Sequence, residues 1–213
     1  MLIVKQFTFS NFGVNTYLLI DSDTDEAAVV DPAMLTERER NEFDHFIAAR
    51  GIKLTQIINT HLHLDHCFGV NYVKEHYGLK LAASTDDETL GRQIGQQCQR
   101  FGMTPQGGPV TIDVPLRDGD EIAIGNSRLK VIATPGHTPG GLCFYDEADR
   151  LLFVGDTLFK GSVGRTDLPG GNHQQLIGSI RSRLLTLPDN TTVLPGHDRL
   201  TNLANERRFN PYL

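Results

Sequence analysis

The stretch INTHLHLDHC, residues 58–67, brings three histidines, one aspartate and one cysteine into seven consecutive positions. The whole chain of 213 residues holds only 8 histidines, so this is a strong local concentration. The apolar run KLTQIINT, residues 53–60, leads directly into the cluster and predicts a β-strand that ends there. A cluster of this kind can hold a structural metal ion, support catalysis, or cap the element that follows it.

Apolar runs on both sides of this stretch predict strands and helices in a regular order. Before it we expect strands over 2–9, 15–21 and 26–32, and a helix that begins with a capping box at Thr36 and ends at Gly51. After it we expect a helix within 67–78, a strand over 80–84, a helix over about 85–101, hairpins within 120–134 and 141–157, a helix over about 172–188, and a final strand and loop over 191–198.

The order of these elements predicts a single α/β domain, in which two β-rich halves pack against each other with helices outside. Residues 102–115 show no periodicity and predict a long loop, of the kind that forms a lid or a pocket wall.

Composition restricts the partners and the compartment. A net charge of −6 argues against a nucleic-acid partner, whose binding surfaces are normally basic. No run approaches the roughly 18 apolar residues of a membrane span, and the first residues do not read as a signal peptide. Three cysteines without a CxxC spacing fit a reducing compartment. We therefore expect a cytoplasmic protein with no nucleic-acid or membrane partner.

Four places offer candidate metal ligands, and each follows a strand-like run inside a turn rich in glycine or proline. Five imidazoles and two carboxylates suit zinc, iron or manganese better than calcium. Seven ligands exceed the four of a structural zinc site, and they suffice for two ions that share a bridging carboxylate. The candidates are His61, His63, Asp65 and His66, then His137 in TPGHTPGG, Asp156 in LLFVGDT, and His197 in VLPGHD.

Other reactive side chains have simpler interpretations. His45, His76 and His173 lie on predicted helices and read as surface residues. Cys67 follows the histidine cluster and is expected to pack at the start of a helix, although it could also be a ligand. Asp31 either supports a ligand histidine or caps a turn.

The motifs HLHLDH, TPGHTPG, GDT and PGHD, in this order, resemble those of the metallo-β-lactamase superfamily. The resemblance extends over nearly the whole chain. It implies a four-layered αββα sandwich of two mixed β-sheets with outer helices. It also implies two divalent metal ions, zinc foremost, with iron or manganese as alternatives. In the implied ligand sets, one ion takes His61, His63 and His137, the second takes Asp65, His66 and His197, and Asp156 bridges the two.

The longer string GDTLFKGSVGRTDLPGG, residues 155–171, and the terminal ERRFNPYL are similar to the glyoxalase II group, and most to its short bacterial hydroxyacylglutathione hydrolases. This resemblance implies hydrolysis of a thioester such as S-lactoylglutathione. The nucleophile would be a hydroxide bridging the metals, oriented by Asp65 as the catalytic residue. Lys160 and Arg165 are the predicted substrate-binding residues. We also expect one domain over 1–213, without the helical domain that binds glutathione in full-length glyoxalase II.

Other functions stay open at this point. A persulfide dioxygenase with a single iron shares the fold and a GRTD-like string, although the LPGG that follows here favours the hydrolase. A lactonase or phosphodiesterase could use the same metals, and a non-catalytic metal-binding module is a further possibility. The predicted partner is a small-molecule thioester, and neither its acyl and thiol parts nor the oligomeric state is predicted.

Overall fold

Two six-stranded β-sheets form the centre of the computed structural model, which describes residues 1–104 and 106–213. The strands of the first sheet, in spatial order, are β1 (Leu2–Phe9), β2 (Val14–Asp21), β3 (Glu26–Val30), β4 (Lys53–Ile58), β5 (Leu81–Ala83) and β6 (Val114–Pro115). Strands β1 to β3 pair antiparallel, and β3 to β6 pair parallel. The sheet is therefore mixed, and its parallel part leads into the histidine-rich stretch.

The later strands form the second sheet and a small hairpin. They are β7 (Glu121–Ile124), β8 (Ser127–Ala133), β9 (Leu142–Asp146), β10 (Leu151–Gly155), β11 (Leu158–Phe159), β12 (Ser162–Val163), β13 (Thr192–Pro195) and β14 (Thr201–Asn202). The second sheet has the order β14-β13-β10-β9-β8-β7, and β11 pairs with β12 apart from it. Only β10 and β13 run parallel among the described pairs of this sheet, so it is also mixed.

Helices cover both outer faces. The described part of the chain forms α1 (Glu37–Arg50), α2 (Val70–Tyr77), α3 (Glu88–Arg92), α4 (Ile94–Arg100), α5 (His173–Ser179) and α6 (Leu203–Phe209), and α5 continues through a wider turn over Ile180–Leu184. The predicted capping box is present, since Thr36 accepts from the Glu39 amide and Glu39 accepts from the Thr36 amide. Gly51 ends α1 in the left-handed conformation.

Three apolar layers hold these elements together. Strand β2 is buried along its whole length, and its side chains alternate between two layers. Leu18 packs between the first sheet and its helices, whereas Leu19 packs between the two sheets. Leu176 of α5 and Leu203 of α6 pack on the outer face of the second sheet. This layering confirms the predicted four-layered αββα sandwich.

The prediction of one continuous helix over 85–101 is wrong. A 3₁₀ turn over Thr85–Asp87 comes first, and α3 and α4 follow, with a break at Gln93. The carbonyl of Gly91 accepts a hydrogen bond from the amide of Val110, so a distant segment occupies a group that a continuous helix would use.

The segment after the predicted final strand was also predicted incompletely. The sequence pattern predicted no helix or strand beyond residue 198, whereas the structure has β14 and α6. Asn202 caps α6 by accepting from the Asn205 amide, a short local signal that apolar periodicity does not reveal.

The predicted loop over 102–115 includes Pro105, which lies outside the described residues. The last part of this segment is not loop but β6, which pairs with β5. Across residues 1–104 and 106–213, no helix combines the length and the apolar character that crossing a membrane requires.

Candidate metal centre

All seven predicted ligand residues meet at one edge of the sandwich, because each follows the carboxyl end of a strand. The turn after β4 carries four of them, and the turns after β8, β10 and β13 carry one each. Strands β4 and β10 belong to different sheets, so the centre lies between the two. The ends of central strands are rigid supports for ligand residues.

His61, His63 and His137 form the first ligand group, and all three are buried. Their ligand nitrogen atoms lie within 4.8 Å of one another, and His63 Nδ1 is 2.9 Å from His137 Nε2. The structure thus brings together the three histidines predicted for one metal ion.

Asp65, His66 and His197 form the second ligand group. His197 Nε2 lies 3.3 Å from Asp65 Oδ2 and 3.3 Å from His66 Nε2. These are the three residues predicted for the other ion, and they come from turns that are 131 residues apart in the sequence.

Asp156 lies between the two ligand groups. Its Oδ1 is 3.4 Å from His66 Nε2, while its Oδ2 is 3.6 Å from His137 Nε2 and 3.5 Å from His197 Nε2. One carboxylate therefore reaches both groups, as a bridging ligand must.

Unpartnered polar atoms in this centre fit bound cations. His61 Nε2 is buried without a hydrogen-bond partner among the described residues, and Asp156 Oδ1 has only the 3.4 Å contact with His66 Nε2. Such atoms are costly unless something compensates them, and a divalent ion would do so. Gly196 leaves the necessary space, because a Cβ there would lie 2.5 Å from Asp156 Oδ1. The residues present therefore fit two metal ions.

The second nitrogen of several ligand histidines is held by a neighbouring oxygen. His137 Nδ1 lies 2.7 Å from the carbonyl of Arg165, and His197 Nδ1 lies 3.1 Å from the carbonyl of Phe12. A carbonyl only accepts, so both Nδ1 atoms are protonated. In the neutral imidazole, Nε2 is then the atom with the free lone pair, which is the form that binds a metal.

Asp31 supports the centre from behind His66. Its carboxylate accepts from the amide of Thr60 at 2.7 Å, from the hydroxyl of Thr60 at 2.6 Å, and from His66 Nδ1 at 2.9 Å. Its backbone is left-handed at φ 50°, a conformation that costs about 1 kcal/mol or more for a residue with a side chain. Since its oxygens are engaged in this way, Asp31 orients His66 rather than competing with the ligand groups.

The charges within the centre set the protonation of its groups. Burial lowers the pKa of His66, but the carboxylates of Asp156 and Asp65 outweigh burial and raise this pKa well above its usual value. Burial and the neighbouring His137 lower the pKa of His63 to about 3, so His63 is neutral. A bound cation would supply the positive charge that the carboxylates otherwise obtain from a proton on His66.

Asp87 is a residue of the centre that the sequence pattern did not identify. Its buried carboxylate accepts from the amide of Leu62 at 3.1 Å, the amide of Gly140 at 2.7 Å and the hydroxyl of Thr138 at 2.8 Å. It therefore ties the turn of His61 and His63 to the turn of His137. One signal was available, since Asp87 follows β5 as the other centre residues follow their strands.

Replacing Asp87 with asparagine is expected to lower metal affinity about 10- to 100-fold, because an amide cannot accept from all three donors and the two turns would lose their common anchor. Metal affinity is measured by competition with a coloured chelator. Asp86→Asn is the matched control, since the Asp86 side chain is exposed. Equal affinities in the two variants would show that Asp87 does not position the ligands.

A cavity of about 350 Å³ opens over the metal centre. Phe12, Phe101, Phe159 and Leu168 provide its apolar walls, and Arg165 also lines it. The Arg165 guanidinium already forms a two-pronged ion pair with Asp167 at 2.7 and 2.8 Å. Lys160 lies in the turn between β11 and β12 and is not among the described residues that line the cavity. Substrate binding by Lys160 and Arg165 stays a prediction.

The remaining histidines and Cys67 lie outside the ligand groups, on the surface or in the core, as the sequence predicted. His45, His76 and His173 are exposed on helices. Cys67 is buried in the core behind the first sheet, and burial raises the pKa of its thiol well above the usual value. It belongs to none of the ligand groups found in the part of the chain that the structure describes.

Comparison with known proteins gives one family. Residues 10–197 match the family described as Metallo-beta-lactamase superfamily. The hydroxyacylglutathione hydrolase GloC of Haemophilus influenzae is 34% identical over 92% of this chain and 91% of its own. The mitochondrial persulfide dioxygenase ETHE1 of Mus musculus is 31% identical over 93% of this chain and 70% of its own.

Two solved structures share the arrangement over almost their whole length. BLEG-1, described as a B3 metallo-beta-lactamase, superposes with a TM-score of 0.90 and 30% identity, and the match covers 99% of both chains. TTHA1623, solved in a di-iron-bound form, superposes with a TM-score of 0.86 and 32% identity over 98% of this chain and 100% of its own. These similar proteins thus differ in their described activities while sharing the fold.

Proposed function

The chain belongs to the metallo-β-lactamase superfamily, and from this premise we propose that it hydrolyses a small thioester, such as S-lactoylglutathione, at a dinuclear metal centre. The observation that carries the proposal is Asp156, whose two carboxylate oxygens reach both ligand groups. The similarity to GloC supports the thioester as substrate. We propose zinc as the metal, with iron or manganese as alternatives, and the di-iron form of TTHA1623 supports a pair of ions.

Two bound divalent ions would acidify a water towards a pKa of about 7 and polarise the carbonyl of the substrate. The side chains of the centre orient the water and accept its proton. Without metal ions, the charge on His66 and the hydrogen bond from His197 outweigh burial and lower the pKa of Asp65, and bound cations would supply that positive charge instead, so Asp65 stays ionised. Asp65 Oδ2 can thus orient the attacking water and accept its proton.

The apolar cavity and the thiolate leaving group explain why the hydrolysis needs few further catalytic groups. Phe12, Phe101 and Phe159 line the cavity over the centre with apolar surface, which lowers the local polarity and strengthens the electrostatic interactions of the centre. A thiol leaving group has a pKa of about 8.5, so its thiolate departs with little help from a general acid.

The relative described as a persulfide dioxygenase supports a second candidate function. Such an enzyme would consume oxygen with a glutathione persulfide and would leave thioesters intact. The second ligand group, Asp65, His66 and His197, is compatible with either function, and the LPGG string at residues 168–171 favours the hydrolase.

The two candidates are separated by a panel of reactions on the purified, metal-analysed protein. Rates are measured for S-lactoylglutathione, other thioesters, a lactone, a phosphodiester and a β-lactam, and oxygen uptake is measured with glutathione persulfide. We expect thioester hydrolysis to be fastest, to be lost in His61→Ala, and to be kept in His45→Ala, whose histidine is exposed. Oxygen uptake without thioester cleavage would establish the dioxygenase instead. Uncatalysed rates throughout would indicate a non-catalytic metal-binding module.

A further inference from the structure

A second cavity, of about 180 Å³, adjoins the cavity over the metal centre and is called the side pocket here. His63, Phe101 and Leu168 line both cavities, so the side pocket lies directly beside the cavity over the metal centre. Its remaining walls are Leu90, Gln97, Arg100 and Pro169.

Most of the side pocket is apolar towards a ligand, because the polar atoms of Gln97 already form hydrogen bonds within the protein. The Oε1 of Gln97 accepts from the amide of Leu64 at 3.1 Å, and its Nε2 donates to the carbonyls of Leu62 at 3.3 Å and Leu90 at 2.8 Å. These bonds tie the side chain to the histidine-bearing turn and leave it little capacity for a ligand. An apolar group would therefore gain by entering the pocket.

Arg100 adds one positive charge to the side pocket. It is the last residue of α4, is exposed, and forms no ion pair with any residue in 1–104 or 106–213. Arg165, the other cation of the joined cavities, is already paired with Asp167. A ligand that reaches through the side pocket thus finds an uncommitted guanidinium, which suits a carboxylate.

We infer that the side pocket binds an apolar arm of the thioester substrate that carries a carboxylate at its far end. This inference rests on the proposed thioester hydrolysis and names the substrate class. A volume of about 180 Å³ is below the roughly 300–1,000 Å³ of pockets that hold a whole ligand, so the side pocket suits one short arm. The arm is either the acyl group or the thiol, and both share this chemistry.

Two matched series of thioesters test the inference. One series joins N-acetylcysteamine to acetyl, butanoyl and hexanoyl groups, and the other joins acetyl to thiols of two, four and six carbons. In one series kcat/KM should rise about fourfold per methylene. Leu90→Phe, which fills the side pocket, should lower the value for the longest member about tenfold and leave the shortest unchanged. Leu79→Phe is the control, because Leu79 is similarly half-buried and lies in neither cavity.

The charge is tested with an ω-carboxylate on the longest arm. The wild-type protein should prefer this substrate about fivefold over its uncharged analogue, and Arg100→Gln should remove the preference. Arg181→Gln, which changes an exposed arginine on the turn after α5, should keep it.

The outcomes separate this inference from the proposed function. Length dependence in the acyl series or in the thiol series, reduced about tenfold for the longest member by Leu90→Phe, supports the side pocket and identifies the arm. Flat rates in both series, with hydrolysis intact, would overturn the inference alone. If no thioester is cleaved, the proposed function fails. In that case, NMR spectra recorded with added hexanoate test the side pocket alone. Changes in the chemical shifts of Leu90 and Phe101 would support binding in the pocket, and unchanged shifts would overturn it.

Discussion

The substitution Asp156→Asn is expected to lower the kcat/KM of thioester hydrolysis by about 10³-fold or more. It should also reduce the metal content below two ions per chain. Asp156 has one oxygen 3.4 Å from His66 Nε2 and the other 3.6 Å from His137 Nε2. The neutral amide keeps the shape of the side chain but loses the charge that joins the two ligand groups. Losing several kcal/mol of charge stabilisation corresponds to about three orders of magnitude in rate.

Metal content by elemental analysis and steady-state rates check the effect of Asp156→Asn. Asp86→Asn is again the control, because it removes an exposed carboxylate outside the centre. A variant that keeps two ions and most of its activity would show that Asp156 does not bridge them.

Removal of the metal ions is expected to abolish hydrolysis and to lower Tm by about 10 °C. Ligands at about 1,000 times their Kd stabilise a folded protein by about 4 kcal/mol, and for a chain of this size each kcal/mol shifts Tm by about 2–4 °C. The physical reason is the crowding of three carboxylates around His66, namely those of the buried Asp31 and of the largely buried Asp65 and Asp156. Without a cation these groups depend on the protonation of His66 for compensation.

Calorimetry before and after dialysis against a chelator measures the effect of metal removal. Re-addition of zinc should restore both Tm and the rate, which controls for damage during dialysis. An unchanged Tm in the metal-free protein would mean that the centre contributes no binding energy to the folded state.

Much of the fold could be predicted from local patterns. The apolar runs before His61 and Asp156 are strands, and Thr36 and Gly51 bound α1 as their capping chemistry predicts. The break between α3 and α4 could not be predicted, because it depends on a hydrogen bond from the amide of Val110 to the carbonyl of Gly91. Contacts between distant segments leave no periodic signal in the sequence.

The contrast between local patterns and contacts of distant segments also explains which residues of the site could be predicted. The ligand residues stand in recognisable turns after strands, so their types and spacing indicated them, and the structure gathers all seven. Asp87 acts through Leu62, Thr138 and Gly140, which only the folded chain brings near it. The side pocket likewise forms between α3, α4 and the segment that includes Leu168. Substrate preference therefore depends on the packing that sequence patterns describe least well.

The central claim is that two ions at this centre hydrolyse a thioester. Its most direct test is a titration of the metal-free protein with zinc, in which the rate of S-lactoylglutathione hydrolysis is recorded at each addition. The account predicts a rate that rises until two ions per chain are bound and then stays constant. A plateau at one ion per chain, or no thioester hydrolysis at any zinc content, would contradict it.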